Sequence, residues 1–196
     1  MSQQEKFTWI ATISYEEATG KLKSLYERIK GADNNVDNIM MAHSLRPHTM
    51  EGHMAIYKYV LHHSANQIEK WFLEAIGTYV SYLNKCEYCY EHHFVGMSRL
   101  LDNEVYSNSI RQAIEEDNLA AAFNQQEVMV MDYAKKLSLS PAHMQEEDIQ
   151  MLRDAGFDDG QILEINQVTS YFAYANRTVL GSVSYTHLTL PTTPYV

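Results

Sequence analysis

The chain is 196 residues long, carries a formal net charge of −10 and draws 45% of its residues from the apolar set. That size and composition suit one domain with a packed core. They exclude nucleic acid as a partner, because no basic stripe offsets the acidic charge. No window approaches the ~18 uninterrupted apolar residues of a membrane-spanning helix. The polar start, MSQQEKFTWI, lacks the basic-then-apolar pattern of a secretory signal, so the expected compartment is the cytoplasm. Thiols are kept reduced there, and a chain with two cysteines points to redox or metal chemistry rather than to a structural disulfide.

Helical signals recur along most of the length. Ser14 and Glu17 form a capping box that opens a helix running to about residue 30, closed by Gly31. A short apolar patch follows over 33–43, and Arg46-Pro47 marks a boundary with Pro47 suited to a first helical turn. Met50, Met54, Tyr57 and Leu61 then recur at helical spacing over 48–63. His43, His48 and His53 read as loop and helix-surface residues.

The next helix is predicted over 66–84, with Ile68, Phe72, Ala75, Ile76, Tyr79 and Leu83 as its apolar stripe. Beside it runs a partly polar stripe, Trp71, Glu74, Thr78 and Ser81. Further helices are predicted over 86–101, 104–116, 125–137 and 146–155, the last closed by Gly156. A final helix, capped by Asp158 or Asp159, ends near Leu180. Repeated amphipathic stretches with short connections predict an all-α bundle in a single domain over 1–182. Residues 183–196, VSYTHLTLPTTPYV, match codon by codon the translation of a transposon-end sequencing adapter over their first ten positions. They are expected to be no part of the native protein.

Both cysteines lie in KCEYCYEHHF, residues 85–94. Cys86, Cys89 and His93 are spaced i, i+3 and i+7, which places them on one helix face. The two sulfurs are then close enough for a disulfide if the first turn permits it, and the helix dipole there favours a thiolate. A zinc site needs four ligands, usually from separated segments, and His62 or His63 would have to complete it. Covalent haem needs a histidine at residue 90, which is tyrosine. CxxC by itself leaves redox and zinc both open, with redox favoured.

Glu74 extends the pattern to Glu74-x11-Cys86-x2-Cys89-x3-His93. This resembles the active-site motif of the alkylhydroperoxidase D-like (AhpD-like) branch of the carboxymuconolactone decarboxylase superfamily. MAHSLRP, residues 41–47, and the run over 71–101 are similar to that branch's peroxidase-related members. The resemblance covers roughly 15–181 and is strongest over 42–101.

What it implies is an AhpD-like helical fold and a thiol-dependent peroxidase needing no cofactor and no metal. Cys89 would attack the peroxide and Cys86 resolve the sulfenic acid to a disulfide. His93 would act as base, and Glu74 would orient and recharge it. An external dithiol or protein reductant would restore the thiols. The site would lie between the 66–84 and 86–101 helices, near a subunit contact of a homotrimer or larger ring. One departure stands out: Tyr88 occupies a position where well-known members carry a histidine. A dithiol redox partner or sensor, and acid–base chemistry on a small lactone, are the rival readings.

Overall fold

The computed structural model describes residues 8–31 and 34–182. Among these the regular structure is helical, with no strand: α1 (Gly20–Ile29), α2 (Asn38–Ala42), α3 (Pro47–Tyr57), α4 (Lys70–Leu83), α5 (Glu87–Leu101), α6 (Glu104–Glu115), α7 (Gln125–Leu139), α8 (Glu146–Asp154) and α9 (Asp159–Ser182). A π-helical turn, Lys58–His62, follows α3 directly. The all-α expectation is met. Among the described residues no helix is long and apolar enough to cross a membrane. The tail over 183–196 lies outside the described residues.

The described residues group into two compact units, one within 8–58 with 177–182 and one over 59–176. In the first, Leu22, Leu25, Tyr26 and Ile29 of α1 fall on one helical stripe and pack with Val36, Met40, Met50 and Met54. The Tyr26 hydroxyl donates to the Ile13 carbonyl at 2.8 Å, which satisfies the polar tip of a fully buried ring.

The predicted capping box is present, with the Glu17 amide donating to Ser14 Oγ and the Ser14 amide to the Glu17 carboxylate. It closes only one turn. Gly20 takes a φ of +53°, a left-handed conformation that redirects the chain, so α1 starts there rather than at Ser14.

His43 and His53 depart from the expectation of surface residues. Both are buried, with ring centroids 5.1 Å apart and His43 Nδ1 2.9 Å from Thr49 Oγ1. His53 lies on α3 and His43 just after α2, the two helices that also bury Met50, Met54 and Met40.

In the second unit α4 is the central element, buried along every residue from Phe72 to Ser81 and packed on α5, α6 and α7. It starts at Lys70, four residues later than predicted. The Glu164 carboxylate accepts from the amides of Gln67 and Ile68, and the Asn66 side chain donates to the carbonyls of Val60 and Tyr59. These bonds satisfy the polar groups of that segment outside a helix. Gly156, at φ +97°, ends α8 as its position predicted, with the Phe157 amide bonded to the Leu152 carbonyl.

Candidate active site

The turn between α4 and α5 sets the register of the cysteines. Lys85 takes a left-handed φ of +57°; its amide donates to the Tyr82 carbonyl and the Cys86 amide to the Ser81 carbonyl, 3.0 and 2.9 Å. This paired arrangement is a Schellman motif closing α4, at a position glycine usually takes. Cys86 is at the same time the N-cap of α5, where its carbonyl accepts the first helical bond from the Tyr90 amide. The sequence reading had put Cys86 inside the first turn; the closing motif of α4 holds it one step earlier. Asn176 of α9 secures the corner, bonding Ser81 Oγ and the Asn84 side chain at 3.0 and 2.9 Å.

Cys86 and Cys89 are joined as a disulfide, with Cα atoms 5.4 Å apart, and both are buried. One turn further along α5, His93 Nδ1 lies 2.7 Å from Glu74 Oε2. An ionised carboxylate only accepts hydrogen bonds, so Nδ1 carries the proton and Nε2 is the basic nitrogen. Glu74 is 3% exposed in the middle of α4, and a carboxylate that deep requires such a partner. All four residues predicted for the site therefore sit along the α4–α5 hairpin.

Several residues that the sequence reading did not single out complete the surroundings. Phe172 of α9 presents its ring edge-on to His93, centroids 4.4 Å apart at 88°. That ring occupies the space above Gly77, where an added Cβ would lie 2.1 Å from ring carbons. A Cβ at Gly96 would make ordinary van der Waals contact, 3.4–3.6 Å, with the Glu74 carboxyl atoms, which places this turn of α5 directly beside the carboxylate. A glycine inside a strong helical pattern often has a packing reason, and that signal was available at Gly77.

Tyr171 is buried near the same carboxylate. Its hydroxyl is pushed well above the ordinary phenol range by burial first, then by the charge of Glu74. His62, at the end of the π-helical turn, stands 3.8 Å from the other Glu74 oxygen.

The remaining motif residues have packing roles. Tyr88 is buried and stacks on His92, centroids 6.1 Å apart at 23°. His92 is half-buried beside His93 and is held below the usual imidazole range by desolvation, then by the neighbouring His93 and Arg99. Among the described residues no group of three or more histidine, cysteine, aspartate or glutamate side chains is placed to hold a metal ion.

No protein-family model matches the sequence, and no curated protein matches it significantly. Solved structures do. An uncharacterized peroxidase-related protein from Silicibacter sp. TM1040 is 22% identical with a TM-score of 0.77, over 92% of each chain. The alkylhydroperoxidase AhpD core of an uncharacterized peroxidase-related protein from Ralstonia eutropha JMP134 is 17% identical with a TM-score of 0.78, over 91% of each. The debrominase Bmp8 is 19% identical with a TM-score of 0.69, over 92% of this chain and 91% of its own. Whole-length likeness to three such structures settles the architecture: the chain has the AhpD-like all-α fold that the family resemblance implied.

Proposed function

We propose that the protein is a thiol-dependent peroxidase that reduces hydrogen peroxide or organic hydroperoxides through the Cys86–Cys89 pair. The observation that carries this reading is the buried Glu74 carboxylate at 2.7 Å from His93, four residues along α5 from a cysteine that is paired with its neighbour. A base oriented by a carboxylate on the helix that carries a dithiol is what activating a thiol requires.

In the reduced protein His93 Nε2 takes the proton of Cys89, and the thiolate attacks the peroxide. The O–O bond breaks, one oxygen stays on sulfur as sulfenic acid, and the leaving alkoxide takes the proton back from His93 as an alcohol. Cys86 then attacks the sulfenic sulfur, forming the disulfide and releasing water. An external dithiol or a protein reductant returns two electrons and two protons. This reading treats residues 1–182 as one cytoplasmic domain that acts as a homo-oligomer, trimeric or larger, without nucleic acid or membrane. Likeness to the debrominase at 19% identity carries the fold, and the same thiol count with a brominated pyrrole, the class of molecule bound in a debrominase complex, tests that chemistry.

The test is stopped-flow reaction of the reduced protein with peroxide while free thiols are counted. Rapid loss of both thiols per chain, abolished in Cys89→Ser, is the expected result. Thiols untouched by peroxide yet oxidised by a disulfide reagent would make the protein a redox partner or sensor instead.

A further inference from the structure

The Glu74 carboxylate faces two histidines, and only one belongs to the cysteine motif. Its Oε2 is 2.7 Å from His93 Nδ1 and its Oε1 is 3.8 Å from His62 Nε2. The side chains grade outward, from 4% exposed at Glu74 and 11% at His93 to 27% at His62. His62 is thus the most exposed of the three.

Its placement is built into the fold. His62 ends the π-helical turn Lys58–His62, and the Asn66 amide ties down the carbonyls of Val60 and Tyr59 just before it. A π-helical turn inserts a residue and re-aims the side chains that follow, which is why such turns recur at functional sites.

We propose that His62 is a positioning residue for the dithiol, acting through Glu74 to take up the proton that Cys89 gives up. The inference rests on the peroxidase reading only in taking Cys89 as the thiol that ionises.

The transfers balance. Cys89 Sγ–H gives its proton to His93 Nε2, and His93 Nδ1–H gives one to Glu74 Oε2. The carboxyl group turns to present that proton to His62 Nε2, and His62 keeps it as an imidazolium. A separation of 3.8 Å is one that ring rotation or a bridging water closes. His93 and Glu74 each gain one proton and lose one, leaving Cys89 as thiolate and His62 as its imidazolium counterpart. When an alkoxide later takes the Nε2 proton from His93, the same path runs in reverse and restores Nδ1–H. Among the described residues, titratable neighbours of this path include the buried Tyr171 hydroxyl from α9 and His92 beside His93 on α5.

The experiment follows alkylation of Cys89 by iodoacetamide against pH in the reduced full chain, read by peptide mass spectrometry. His62→Gln and His62→Asn are compared with wild type and with His63→Gln, a change in the exposed neighbour; circular dichroism checks that helicity is kept. The expected result is a rate at neutral pH about tenfold lower in both His62 variants, equivalent to a midpoint about one pH unit higher. His63→Gln should follow wild type, and added imidazole should restore much of the rate in the His62 variants.

Superimposable profiles would overturn the inference. So would an equal loss at every pH without a moved midpoint, which is what a merely structural role gives, or a wild-type profile that does not titrate. Alkylation needs no peroxide, so a protein that leaves peroxide untouched but shows the shift would refute the peroxidase reading and retain this one.

Discussion

The two units each bury a histidine, and the partners given to each ring differ. In the smaller unit His43 has a hydroxyl, Thr49 Oγ1, at 2.9 Å and a second imidazole, His53, beside it. Burial lowers its pKa and keeps the ring neutral. In the larger unit His93 has a carboxylate at 2.7 Å, in a setting buried just as deeply. The Thr49 hydroxyl gives its own proton to the Arg46 carbonyl and so accepts from His43 Nδ1 as a neutral group, whereas the Glu74 carboxylate accepts from His93 Nδ1 as an anion, which makes Nε2 a stronger base. Burial alone therefore makes a packing residue of histidine; burial against an anion makes one that is able to handle protons.

The comparison is most easily broken at Glu74. Glu74→Gln keeps the shape and a hydrogen-bonding group but removes the anion, and the peroxide reaction should slow by about a hundredfold. Stopped-flow thiol loss checks this, and an unchanged rate would reduce His93 to the status of His43.

Gly77→Ala tests the packing side of the same site. Its methyl would enter the fully buried Phe172 ring, which rests against His93. Overpacking of that kind costs about 1–3 kcal/mol, visible as a lower urea midpoint with unchanged slope. Lys85→Gly should act in the opposite direction. The left-handed φ of +57° costs a side-chain-bearing residue energy that glycine avoids, so a gain of about 0.5–1 kcal/mol is expected by denaturation.

The smallest change at neutral pH belongs to His43. Its folded-state pKa lies below the unfolded value of about 6.5, so below that pH the unfolded chain binds more protons than the folded one. Stability is then whole above about pH 6.5 and declines as the pH falls towards the lowered folded value. His43→Gln should flatten that decline in urea titrations without altering stability at alkaline pH; an unchanged slope would show that His43 is not kept neutral.

Much of the site was legible because helical spacing is a local rule. The i, i+3, i+7 pattern put Cys86, Cys89 and His93 on one face, and the polar stripe Trp71, Glu74, Thr78 and Ser81 marked a second face of the preceding helix. Less legible were the helix starts at Gly20 and Lys70. There a left-handed glycine and the distant Glu164 carboxylate override the local signal. His43 and His53 were misplaced for a related reason: polarity suggested surface, while burial depends on which residues surround them.

The sequence by itself determined the helices, most of their ends and the face on which the dithiol and His93 stand, because backbone periodicity and capping act over a few residues. Only the tertiary structure decided that Glu74 meets His93, that Phe172 lies over Gly77, and that His62 stands at the outer edge of the carboxylate. Those contacts join residues 12 to 95 positions apart in the chain: 12 between His62 and Glu74, 19 between Glu74 and His93, and 79 and 95 from Phe172 back to His93 and Gly77. No local rule constrains pairs that distant; they form because a buried anion and a buried ring must each be matched by whatever the packed helices bring beside them.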